Sequence, residues 1–122
     1  MTTGSPPKTW ANGVPELMVS DFQRSFSFWT QVIGFGVAYQ RAAQNFAYLE
    51  HPDGAQIMLW QNDGDWETAK LEPPFGRGVV LQIYVGDVDA VSRRVRTAGL
   101  PFYREPYEKW RDWGDRMGGQ RE

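Results

Sequence analysis

The sequence predicts an α+β protein built on a βαβββ plan that starts twice, with the second copy incomplete. Three observations carry this reading. An alternating apolar run is followed at once by apolar residues at helical spacing, the signature of a strand feeding a helix. Three more strand-like runs come next, two of them joined by a Pro-Asp-Gly turn. The opening pattern then returns: placing Val14 on Val80 aligns VPELMVSD with VLQIYVGD, each an alternating strand that ends in Asp at a helix start.

Residues 1–13 are rich in Thr, Gly, Ser and Pro and read as a flexible arm, with bulky Trp10 able to dock on the body. The first module spans 14–61. Its opening strand covers Val14 to Val19, and Ser20 or Asp21 offers a side-chain oxygen to the unpaired amides of the helix that follows. Phe22, Phe26, Trp29 and Ile33, spaced by four, three and four, place that helix at 21–33, and Gly34 or Gly36 stops it. Strands are expected over Val37–Arg41, Phe46–Glu50 and Gln56–Gln61, with His51-Pro52-Asp53-Gly54 as an exposed turn. Residues 62–78 lack periodicity and make a connecting loop long enough for a role of its own. The second module, 79–122, should hold a strand over Val79–Val85, a helix capped by Asp87 running through Val88, Val91 and Val95 to Gly99, and a strand from Leu100 to Tyr107.

Composition narrows the functions. Seven Phe, six Trp and five Tyr supply enough bulk for a real core. Thirteen basic against fifteen acidic residues leave a net charge of −2, so nothing draws the chain to nucleic acid or to an anionic membrane. The absence of cysteine excludes disulfides and thiolate metal sites, and the single His leaves little imidazole for a transition metal, so no metal or cofactor is expected. No hydrophobic run of signal-peptide or membrane-span length occurs, and the expected setting is cytoplasmic. Asp63-Gly64-Asp65-Trp66-Glu67 lacks the spacing of a calcium loop, although its negative field could draw in a cation. Arg93, Arg94 and Arg96 read as the polar side of their helix.

The pieces VPELMVSDFQRSFSFWTQVIGF, FAYLEHPDGAQIMLWQ, VGDVDAVSRRVRTAGL and GGQRE, in this order, resemble the vicinal oxygen chelate superfamily of glyoxalases, extradiol dioxygenases and bleomycin-resistance proteins. The resemblance covers about 14–122 and implies paired βαβββ modules whose sheets curve around a ligand cavity. It also implies where the enzymes of the superfamily hold a metal, on the first and last strands of each module. Here those places fall on Val14, Val80 and Met58. Valine has no lone pair to donate. The pattern looks most like the metal-free, bleomycin-resistance branch, which sequesters a drug without transforming it. Such proteins continue with two strands after a G-x-R-E-F segment, whereas this sequence ends at GGQRE, so the second module reads as incomplete.

Strand parity turns Leu17, Val19, Ile57, Leu59, Leu81 and Ile83 toward the helices. It leaves Val14, Glu16, Met18, Gln56, Met58, Trp60, Val80, Gln82 and Tyr84 on the concave face. That face reads as a small-molecule pocket, or as a partly filled barrel interior or subunit interface; Glu16 and Gln82, unhelpful in a dry core, favour the pocket. Glu16 could pair with a cationic ligand group, or be solvated or bridged to an Arg. Trp60, Phe46 and Tyr48 could present flat faces to a planar group or belong to the core. Trp110 and Trp113 could close over a ligand or meet another chain. The expected ligand set is therefore Glu16, Phe46, Tyr48, Met58, Trp60, Gln82, Tyr84, Trp110 and Trp113, with no catalytic and no metal residues. The expected function is metal-independent sequestration of a cationic aromatic drug, as in antibiotic resistance, by a homodimer. The alternatives are a metal-dependent lyase or dioxygenase with atypical ligands, and a non-catalytic dimerisation module.

Overall fold

The computed structural model describes residues 2–4 and 11–106. Its sheet has five strands, β1 (Thr2–Gly4), β2 (Glu16–Val19), β3 (Gly36–Arg41), β4 (Phe46–Glu50) and β5 (Gln56–Gln61), in the order β1-β3-β4-β5-β2. All neighbours are antiparallel except β2 and β5. The α+β class and the strands of the first module follow the sequence pattern, with β2 shorter than expected. Pro15 has no amide to give and enters the ladder only as an acceptor, from the Met58 N–H at 2.9 Å.

Between β2 and β3 lies the helix that the spacing of Phe22, Phe26, Trp29 and Ile33 predicts. Asp21 caps it by accepting from the Arg24 N–H at 3.2 Å, and the Gln61 side chain accepts the Phe22 N–H at 2.8 Å. Regular α geometry holds only over Phe22–Ser27 (α1), and Phe28–Ile33 widens to a π-helical turn. The Trp29 carbonyl there accepts from both Gly34 and Phe35, and Gly34 stops the helix at φ +103°.

Phe22, Phe35, Ala47, Leu49, Ile57 and Leu59 form the core between sheet and helix, with Leu17, Val19, Phe26, Trp29 and Ile33 packed against it. Alternation accounts for the sheet's contribution: one parity of each strand meets the helix, the other the open face.

Five expectations are corrected. Residues 2–4, expected in a free arm, pair with β3 as an edge strand; Trp10 lies outside the described residues. His51, expected in solvent, is 8% exposed, with its ring edge-on to Phe35 at 5.2 Å and Nδ1 accepting from the Asp53 N–H at 3.0 Å. Val79–Val85 forms no strand. The run pairs with neither outer strand of the sheet, β1 or β2, and an alternating run without a ladder partner stays a coil. Val79, Val80 and Tyr84 are exposed, while Ile83 still packs on the core. Leu100–Pro106 is likewise not a strand, and Tyr107 lies outside the described residues. Of the second module, the helix is present as α2 (Val88–Thr97), capped by Asp87, which accepts from the Ala90 N–H at 2.9 Å. Arg94, expected only as part of a polar side, reaches back to the first module, donating to the carbonyls of Val32 (2.6 Å) and Ile33 (3.2 Å). Among the described residues no helix is long and apolar enough to cross a membrane.

Candidate functional site

The strand register sorts the open face into cross-strand rows. Glu16 faces Met58, Met58 faces Tyr48 and Tyr48 faces Tyr39; one step along, Met18 faces Trp60, Trp60 faces Phe46 and Phe46 faces Arg41. Side chains in such rows stand within contact reach of their neighbours. The second row carries an unbroken sequence of thioether, indole, phenyl and guanidinium across four strands.

At one end of these rows opens a cleft of about 520 Å³, within the range of small-molecule sites. Glu16, Trp60, Phe46 and Arg41 line it from the sheet. Its rim comes from the short turn between β3 and β4, where Asn45 takes the left-handed conformation at φ 51°, and from Asp63 and Asp65 at the start of the 62–78 loop. Asp63 accepts from the Asp65 N–H at 3.0 Å, which folds the two acids into one turn. Three carboxylates thus face one guanidinium. That guanidinium does not join them: Arg41 Nε donates to the Tyr39 hydroxyl at 2.6 Å, and its Cζ lies 5.2 Å from the Tyr39 ring centroid and 5.8 Å from that of Phe46.

On the same sheet face, Tyr48 is fully buried. Its hydroxyl donates to Gln56 Oε1, which also accepts from the Ala11 N–H at 3.1 Å, while Gln56 Nε2 donates to Glu50 Oε2 at 2.9 Å. Burial, and then the Glu50 carboxylate, push the Tyr48 phenol above its ordinary pKa. This chain of polar groups satisfies a buried hydroxyl and positions the sheet face.

Of the residues singled out from sequence, the structure brings Glu16, Phe46 and Trp60 together at the cleft. Met58 and Tyr48 share the sheet face without lining the cleft, and fully buried Tyr48 offers no free surface. Gln82 and Tyr84 stand on the unpaired 79–85 segment and do not line the cleft, because that segment never joins the sheet. Trp110 and Trp113 lie outside the described residues. Arg41 and the acids Asp63 and Asp65 complete the site. The parity of Tyr39 and Arg41 could have pointed to Arg41, but the irregular register between Val37 and Tyr39 hides the phase of β3.

The residues at the metal places that the resemblance implies do not fit a metal. Val14 precedes β2, Val80 is 74% exposed away from the sheet, and Met58 offers only a thioether between Glu16 and Tyr48. Among the described residues no cluster of three or more His, Asp or Glu side chains could hold an ion.

The family model described as the glyoxalase/bleomycin resistance protein/dioxygenase superfamily matches residues 13–116. The crystal structure of a member of that superfamily from Vibrio splendidus 12B01 is 36% identical, over 79% of this chain and 74% of that one, at a TM-score of 0.37. That of a glyoxalase/bleomycin resistance protein/dioxygenase from Nocardioides is 24% identical, over 84% of this chain and 72% of that one, with a TM-score of 0.56, and shares the fold. An integron cassette protein from the mobile metagenome of the Halifax Harbour sewage outfall is 14% identical, over 73% and 72% of the two chains, at a TM-score of 0.46. No curated protein matches.

Proposed function

The chain belongs to the glyoxalase/bleomycin resistance protein/dioxygenase superfamily, and from that premise we propose that it is a metal-independent protein that captures a planar, cationic aromatic small molecule in the Glu16–Trp60–Phe46 cleft. The observation that carries this reading is the pairing of aromatic faces with uncompensated acids in one cleft of ligand size. Trp60 and Phe46 offer π faces, and Glu16, Asp63 and Asp65 supply negative charge without a Lys or Arg ion pair among the described residues. A cation is attracted twice, by the carboxylates and by the ring quadrupoles. The mechanism is stoichiometric: binding lowers the free concentration of the compound in the cytoplasm, as a drug-resistance protein would, and no bond is made or broken. Neither nucleic acid nor membrane is a partner in this reading.

The same reading includes a homodimer. Val79 and Val80 are 63% and 74% exposed and Tyr84 52%, on a strand-like run with no ladder partner, the kind of apolar surface that association covers.

Titration with a panel of cationic aromatic compounds, followed by tryptophan fluorescence and native mass spectrometry, tests the capture reading. Trp60→Ala should weaken binding by roughly 1 to 3 kcal/mol, the scale of an aromatic anchor. Glu16→Gln should weaken it less, with a loss that shrinks at high salt. Unchanged affinity in both variants would move the site elsewhere, and no binding by any compound would remove the reading.

A further inference from the structure

We propose that Arg41 is the specificity-determining residue of this cleft, a built-in cation that occupies the aromatic platform and must swing away before a ligand cation can use it. This rests on the capture reading above and adds how the site selects its ligand.

The argument starts from where Arg41 could have gone. Among the described residues it is the only cationic side chain lining the cleft, which also holds Glu16, Asp63 and Asp65. An exposed arginine beside three carboxylates ordinarily forks onto one of them. Among the described residues Arg41 makes no such ion pair. It lies over the rings of Tyr39 and Phe46, anchored by its Nε–H to the Tyr39 hydroxyl. Register explains the choice. Phe46 is its direct partner across β3 and β4, and Tyr39 sits two residues back on the same face, so both rings lie under the guanidinium with no change of strand.

The placement has two consequences for a ligand. Phe46 is also the cross-strand neighbour of Trp60, so a planar cation that spreads from Trp60 onto Phe46 meets the guanidinium already on that ring. Arg41 therefore competes for the ring face and also opposes the positive charge. A neutral planar molecule meets only the first obstacle, and can stack on the guanidinium plane instead. Arg41 thus lowers the preference for cations over neutral isosteres. Because the residue is exposed and held by one hydrogen bond, a ligand that binds the acids can displace it.

The test measures the affinities of the whole protein for two compounds of one tricyclic skeleton, cationic N-methylacridinium and neutral N-methylacridone, by fluorescence at two salt concentrations. Arg41→Gln should raise the cation-to-neutral preference by about tenfold, in part salt-dependently. Arg41→Lys keeps the charge but loses the planar stack and the Nε hydrogen bond to Tyr39, so it should give a smaller gain with the salt slope of the parent protein. Tyr39→Phe, which frees the guanidinium without removing it, should also move the preference toward the cation. If the parent protein binds N-methylacridinium and the preference is unchanged or reduced in Arg41→Gln, the inference fails and the capture reading stands. If neither the parent nor any variant binds either compound, both fail. Equal behaviour of Arg41→Lys and the parent would leave a field effect alone and overturn the displacement.

Discussion

Arg94→Ala should loosen α2 from the first module while leaving the sheet intact. In the native protein Arg94 donates to the Val32 carbonyl at 2.6 Å and to that of Ile33 at 3.2 Å, oxygens at the end of a helical turn that have no partner further along the helix. Hydrogen bonds from a charged donor contribute about 1.5 to 3 kcal/mol each when enclosed. Arg94 is exposed, so water competes for both partners and salt screens the charge, which reduces the pair together to about 1 to 2 kcal/mol. No residue of α2 is fully buried, so little apolar packing masks the loss; a further tie beside the helix start is the Gly86 N–H donating to Asp53 Oδ2 at 2.7 Å. At about 1.4 kcal/mol per factor of ten, the equilibrium for local opening of α2 should rise about 5- to 30-fold. Native-state hydrogen exchange followed by NMR reads this directly. Amides of α2 should accelerate by that factor, while those of Leu49, Ile57 and Leu59 in the core strands keep their protection. Equal acceleration of helix and core would show that α2 is no separable unit, and an unmoved α2 would show that the Arg94 contacts contribute nothing.

Other outcomes follow from the same structure. Leu59→Ala, at a fully buried position between sheet and helix, should destabilise by about 3 to 5 kcal/mol in urea unfolding, whereas Met18→Ala on the half-buried open face should cost clearly less. The raised Tyr48 pKa has a signed consequence: above pH 10 the unfolded chain releases this proton and the folded chain holds it, so stability is full below about pH 10 and falls as pH rises from there toward the folded value. Tyr48→Phe should flatten that fall at a cost of about 1 kcal/mol at neutral pH, and absorbance near 295 nm should show the last tyrosine to ionise missing from the variant. Sedimentation at micromolar concentration should show a homodimer that Val80→Glu shifts toward monomer; a stable, monodisperse monomer of the parent chain would count against the association of this face.

Local rules made much of this protein legible in its sequence. Period-two alternation placed β4 and β5 to the residue and told core side from open side for Leu17, Leu59, Glu16 and Trp60, because a strand's side-chain parity is set by its own backbone. The caps at Asp21 and Asp87 were readable because a cap acts on amides two or three residues away. Tertiary structure alone decided the rest. Val79–Val85 carries a strand pattern as good as that of β2, yet β2 is a strand because β5 lies beside it, while the later run is brought beside no strand, the free outer edge of β2 included. Burial of His51 and the reach of Arg94 to Val32 depend on how α2 and the His51 turn meet the helix end, which no spacing records. The cleft shows the division most clearly. Glu16 and Trp60 were visible from parity, but Arg41 joined them only because the sheet order sets β3 beside β4 and brings a guanidinium onto the rings of Tyr39 and Phe46. A sequence states what each strand presents on its two faces; which strands become neighbours, and so which side chains share a site, is settled by hydrogen-bond pairing and packing between segments far apart in the chain.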